Sequence, residues 1–205
     1  MKLVFFLTFC CISSITFAEC QSASYHYALS GKADGDMIKT ISCEEDNHMM
    51  TINAKTDVSK LGHHVTVEQT VMGSYVSDQF TPTLSTVKDS REHDGQPVDV
   101  QLSNGEYDTL SLVYALEQDL SKGNAISTHI NVLQNGQIQA FQVTQELGVK
   151  LDTRMGTLET IKITLSAQND CLIYWFAMLE EGHYVMVQSD IAHNGKQVFL
   201  ATLQA

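Results

Sequence analysis

Eight histidines, twenty-four acidic residues and five cysteines are the groups in this chain that could bind a metal, move a proton or attack an electrophile. Their spacing argues against each use in turn. His63 and His64 are neighbours, and on a strand neighbouring side chains leave opposite faces, so the two cannot share one ion. Arg91, Glu92, His93 and Asp94 stand together in a polar stretch that ends at Pro97 and reads as a solvated turn. The run from Cys43 to His48 is an acidic hairpin tip without the ligand spacing of a calcium loop. Cys171 is followed by Leu172 and Ile173, an apolar setting in which a thiol is buried and inert. No Gly-x-Ser-x-Gly elbow, His-Glu-x-x-His helix, phosphate-binding glycine loop or Cys-x-x-Cys pair occurs. The residues therefore imply no metal, no cofactor and no catalytic set; a hydrolase or metal enzyme is the weaker alternative.

The elements that would position any site are written in period two. Ile126, Thr128, Ile130 and Val132 alternate on one face, and Asn135-Gly136 supplies the two positive φ angles of a tight hairpin. That turn sets Phe141 opposite Ile130 and Val143 opposite Thr128. The pattern runs on through Leu147, Val149 and Leu151, turns at Thr153–Thr157, and returns as Ile161, Ile163 and Leu165. This predicts an antiparallel meander with one wet face. Earlier strands are expected at Tyr25–Leu29, Met37–Cys43, His48–Lys55, Val65–Tyr75, Leu84–Lys88 and Val98–Leu102, with Pro82 and Pro97 in connections. One segment breaks the alternation. Leu112, Val113, Leu116 and Leu120 fall at helical spacing between Asp108, a plausible N-cap, and Lys122-Gly123, which predicts one amphipathic helix near residues 108–122. The fold class is mainly β: an antiparallel meander forming a curved sheet or β-barrel, with the helix packed on it.

The last three strands look apolar on both faces. Asn194-Gly195 sets a turn that pairs Ile191 with Val198 and Ser189 with Leu200. In that register Met186, Phe199 and Leu203 share a face, and Trp175 joins them if the Glu180–His183 turn pairs Leu179 with Tyr184. A second apolar face needs a cover, and the helix, a ligand or a partner can supply it. Trp175, Met186 and Phe199 are accordingly the candidate ligand-binding residues.

Compartment follows from the first residues. Lys2, the apolar run Leu3–Phe17 and the small-residue site before Ala18 read as a secretory signal peptide cut after Ala18. About 15 apolar residues fall short of the ~20 that span a bilayer, so the mature chain, residues 19–205, is expected to be one exported β domain and not an integral membrane protein. The net charge of −12 becomes −13 without Lys2, because eleven Lys and Arg then face twenty-four Asp and Glu. Such a balance repels nucleic acid and anionic headgroups. Of the three remaining cysteines, Cys20 and Cys43 flank a hairpin and are the expected disulfide, which leaves Cys171 as a free thiol.

Two stretches, from Phe141 through Leu165 and from Tyr174 through Leu203, resemble the C-terminal half of the exported bacterial family called domain of unknown function 3108. The carriers are the Gly156-Thr157 turn, the Trp175-Phe176-Ala177 strand end and the closing hairpin; the Asp108-led helix and the hairpin after Leu29 are similar too. Where that family often has Leu-Pro-Val-Arg after the Trp strand, this chain has His183-Tyr184-Val185-Met186. The resemblance implies a periplasmic β-barrel or curved sheet without an established activity. Two readings of function stand beside each other: a non-enzymatic envelope protein that binds an apolar or lipid-like ligand, and an envelope interaction or assembly factor. Coverage of the Trp175 face separates them, since a hollow there favours the ligand and complete coverage by the helix favours a partner elsewhere.

Overall fold

The strand order obliges the sheet to curl. The structure, a computed structural model, describes residues 22–60, 63–77, 79–91, 95–134, 136–180 and 182–204; the expected signal peptide and Cys20 lie outside them. Six strands come first: β1 (Ala23–Gly31), β2 (Asp34–Glu44), β3 (Met49–Lys60), β4 (His63–Val76), β5 (Gln79–Asp89) and β6 (Val98–Gln101). The short β7 (Glu106–Tyr107) leads into helix α1 (Thr109–Lys122). Six more follow: β8 (His129–Gln134), β9 (Gln137–Thr153), β10 (Gly156–Ala167), β11 (Asp170–Glu180), β12 (His183–His193) and β13 (Lys196–Leu203). All thirteen belong to one sheet ordered β6-β5-β4-β3-β2-β1-β13-β12-β11-β10-β9-β8-β7. Its two end strands, β6 and β7, are consecutive in the chain and joined by residues 102–105. That connection reaches at most about 18 Å, whereas thirteen flat strands would set their edges nearly 60 Å apart. The sheet is therefore rolled until its edges approach, without a β6–β7 ladder to close it.

Every pairing is antiparallel except β7 with β8, where Glu106 and Tyr107 stand beside Asn131 and Val132. Parallel neighbours need a crossover, and α1 is that crossover. The expected strands all form, and Ile130 does pair with Phe141. Pro82 departs from expectation: it lies inside β5, at the irregularity where the β4–β5 register shifts between Met72 and Gly73. A bulge frees the proline from donating to the ladder, and the same close approach leaves no space for a Cβ at Gly73 beside the Thr81 carbonyl and the Phe80 ring.

Helix α1 begins in a capping box. Asp108 Oδ1 accepts from the Ser111 N–H at 2.8 Å while the Asp108 N–H donates to Ser111 Oγ at 3.0 Å, and Gly123 ends the helix in the left-handed conformation. Its apolar stripe, Leu112, Val113, Leu116 and Leu120, packs against β1 and β8–β13. Leu110 and Tyr114 leave the opposite side and pack with Ile41, Met50, Ile52, Val71 and Phe80 of β2–β5. The helix thus divides the core in two, so it fills the concave side of the rolled sheet instead of capping one face. Tyr114 meets the Phe80 ring edge-on at 5.8 Å between centroids.

A buried ion pair fixes that plug. Lys39 of β2, 1% exposed, donates to both carboxylate oxygens of Glu117 at 3.1 Å, and Glu117 Oε1 also accepts from the Met186 N–H of β12 at 3.0 Å. Lys39 Nζ lies 4.9 Å from the centre of the Tyr25 ring. One carboxylate therefore ties the helix to strands on both sides. The same burial, with Glu117 nearby, holds the Tyr27 and Tyr114 hydroxyls above their ordinary pKa.

Candidate functional site: the open seam of the sheet

The three residues selected from the sequence are not brought together. Met186 pairs with Phe176 and faces inward, 3% exposed, with its carbonyl accepting from Tyr27 Oη at 3.2 Å. Trp175 stands opposite Lys162 and Gln188, on the outer face, and is half-buried. Phe199 pairs with Ile191 on the inner face, but Ile191 lies five residues along β12 from Met186, about 16 Å of strand. A bulge between Trp175 and Phe176 slips the β11–β12 register by one residue and so sets Trp175 on the opposite face from Met186. Met186 and Phe199 share the inner face as expected but lie apart along the sheet. Met186 and Phe176 are buried members of the core that α1 packs into, while Trp175 and Phe199 are partly buried at its margin.

The other candidates separate as well. His193 Nδ1 is 2.6 Å from Asp170 Oδ1 at one end of the sheet, while Cys171, the free thiol, leaves β11 on the alternate side from Asp170. His26 pairs with Asp36 at 3.2 Å and His64 with Asp57 at 3.6 Å, all well exposed. His93 lies outside the described residues, as do Glu92 and Asp94. Among the described residues no three His, Cys, Asp or Glu side chains converge. Of the expected Cys20–Cys43 pair, Cys20 is not described, and Cys43 is not among the free thiols.

What the rolled sheet does leave is a seam. A cleft of about 450 Å³ opens where β6 and β8 approach without pairing. Its floor is the inner face of β4–β6, with Gln69, Ser85, Val87, Val98 and Val100; Leu133 and Gln134 of β8 stand across it, and Asp108 and Thr109 close its end. Val98 pairs with Val87 and so faces inward, yet it is 41% exposed because it lines the open cleft.

Asp108 does more than cap the helix. Its Oδ2 accepts from Gln69 Nε2 of β4 at 2.8 Å and from Ser85 Oγ of β5 at 2.6 Å, while Oδ1 holds Ser111. A carboxylate that is 1% exposed is thus satisfied by four neutral donors and by the helix N-terminus. It rivets the start of α1 to the far side of the seam. Deeper in, the Tyr174 hydroxyl is buried without a hydrogen-bond partner among the described residues; its pKa is raised by burial first and by Asp108 second. The seam is therefore pinned at its helix end and open along β6. It presents four apolar side chains, several neutral polar groups, the carboxylates of Asp89 and Asp108, and the edges of two strands.

Sequence reasoning reached Asp108 only as a helix cap, from its place at the start of the apolar stripe. The seam itself had no signal beyond the shortness of Val98–Leu102, and Lys39–Glu117, 78 residues apart, had none.

No family model matches the chain, and no curated protein matches it. Among solved structures it is similar to a β-barrel-like protein of domain of unknown function DUF1849 from Brucella abortus, at 10% sequence identity and a TM-score of 0.44, over 89% of this chain and 94% of that one.

Proposed function

We propose that this chain is a non-catalytic, exported envelope protein that engages another polypeptide at the open seam of its β-barrel-like sheet. The observation that carries the reading is the contrast between a filled interior and an unclosed edge. Helix α1 occupies the concave side, where a lipid-sized ligand was to sit, whereas β6 and the end of β8 face each other across a valine-floored cleft. Edge strands offer unpaired backbone groups, and proteins that keep such an edge open use it for recognition. Export to the periplasm rests on the Lys2-to-Ala18 leader and on the resemblance to the exported family. A non-catalytic role is supported by the dispersal of Cys171, the histidines and the carboxylates over separate faces and ends. A second reading, an apolar or lipid-like ligand in the same cleft, is favoured by Val87, Val98, Val100 and Leu133, whose side chains would suit an acyl chain.

Photo-cross-linking in cells tests the seam. A photoreactive phenylalanine analogue replaces Val98, and a control replaces Leu147, which is 71% exposed on β9. A discrete polypeptide adduct from Val98 alone is expected. Equal adducts from both positions, or none from either, would refute a seam-directed role, and a lipid adduct from Val98 would favour the second reading.

A further inference from the structure

The cleft is walled by backbone as well as by side chains, and this narrows what can fill it. Among the described residues β6 is paired on one side only, with β5, from Val87 opposite Val98 to Leu84 opposite Gln101. On the other wall, β7 pairs with Asn131 and Val132 and then leaves the sheet, so Leu133 and Gln134 are paired with β9 on one side and have no strand on the side that faces the cleft. Both unpaired stretches line the same cleft. Backbone N–H and C=O groups at such an edge are strong and directional, and a second strand satisfies them at regular intervals while an acyl chain satisfies none.

Resting on the seam reading above, we propose that the occupant is one extended segment of the partner, added as a strand along the outer edge of β6, with apolar and basic side chains in alternation. Period two dictates the alternation. Side chains pointing inward would meet Val87, Val98 and Val100, which are apolar, and those pointing outward would share a face with Asp99. Asp99 is exposed, its Oδ1 accepts from Thr86 Oγ1 at 2.7 Å, and no cation neutralises it among the described residues; Lys88, the nearest basic residue on β5, stands opposite Glu68 of β4. A basic side chain beside Asp99 would also be drawn by the net charge of −12. Once seated, the segment would extend the ladder of β6 and cover the exposed Val98.

The test uses purified protein and three probes followed by amide NMR: an end-blocked octapeptide alternating valine and lysine, the same peptide N-methylated at every residue, and myristate. The expected result is that the first peptide slows amide exchange within Val98–Gln101 by about tenfold or more. The N-methylated peptide, which cannot complete the ladder, gives no such protection. Asp99→Lys, an exposed change with an unaltered thermal midpoint, should weaken the first peptide about threefold or more. If the peptide shifts cleft resonances without slowing exchange, or if myristate displaces it, strand addition is overturned while the seam remains a binding seat. If none of the probes perturbs Val87, Val98 or Leu133, both strand addition and the seam reading fall.

Discussion

Replacing Lys39 by Met keeps the length and apolar stem of the side chain and removes only its charge. The consequence can be worked from the burial of the pair. Glu117 would retain one donor, the Met186 N–H at 3.0 Å, and would be left as an unneutralised carboxylate inside the rolled sheet. Removing one partner of a buried pair costs about 3–5 kcal/mol. For a chain of this length each kcal/mol moves the midpoint by about 2–4 °C, so Lys39→Met should melt roughly 6–20 °C lower. Lys39→Met combined with Glu117→Gln removes both charges and preserves an acceptor for Met186. It should recover at least half of that loss, because the expensive species is the unpaired charge and not the absent attraction. Thermal denaturation followed by far-ultraviolet circular dichroism reads both effects. A midpoint for Lys39→Met within 2 °C of wild type, or a double variant as unstable as the single, would refute a buried and functionally paired Glu117.

Leu116, 2% exposed at the centre of the larger core, should tolerate Asp poorly: Leu116→Asp buries an unpaired charge and costs several kcal/mol, and an unchanged midpoint would mean that α1 is not packed inside the sheet. The buried hydroxyls of Tyr27, Tyr114 and Tyr174 make stability sensitive to alkali. Their folded pKa values lie above the ordinary 10, so their contribution is complete below about pH 10 and is lost as pH rises beyond it, when only the unfolded chain ionises. Tyrosinate absorbance at 295 nm should therefore rise for these three only as the sheet signal collapses, and full titration near pH 10 with the sheet intact would contradict their burial. Trp175 fluorescence should not respond to myristate, since its ring lies on the outer face beside Lys162 and Gln188; a saturable change would restore a lipid site there. At the chain terminus, sequencing should find Glu19 first, and mass mapping without reduction should find Cys20 bonded to Cys43 with Cys171 reduced; that bridge would contribute ~3 kcal/mol. An unprocessed Met1, or a bridge through Cys171, would overturn these two expectations.

Local chemistry made much of this fold readable. Asn194-Gly195 does adopt the two positive φ angles of its hairpin, at 52° and 69°, and Asp108 and Gly123 bound the helix where their types require. Alternation found the strands because one face of each is buried. The faces of the last hairpins were only partly readable, since a bulge inserts a residue without a reliable sequence mark: Met186 and Phe199 do share a face, but the bulge beside Phe176 sets Trp175 on the other. The stripe of α1 was correct but incomplete: Leu110 and Tyr114 fall outside it, and only the rolled sheet gives them neighbours. Lys39 and Glu117 carry no mark in the sequence, because nothing local distinguishes a lysine that will be enclosed by strands brought together across the sheet. The seam is likewise a product of topology. It exists because the chain turns inward as α1 after two residues of β7, leaving the rest of β8 without a neighbour on that side.

Native mass spectrometry of the protein purified from its own cells tests the seam most directly, because one spectrum reports lipid and polypeptide together. The expected result is a chain free of lipid that takes up one alternating valine–lysine octapeptide, with uptake weakened by Asp99→Lys. A stoichiometric lipid retained by the wild-type chain, and released when Val98→Lys places a charge on the cleft floor, would contradict a polypeptide-binding seam.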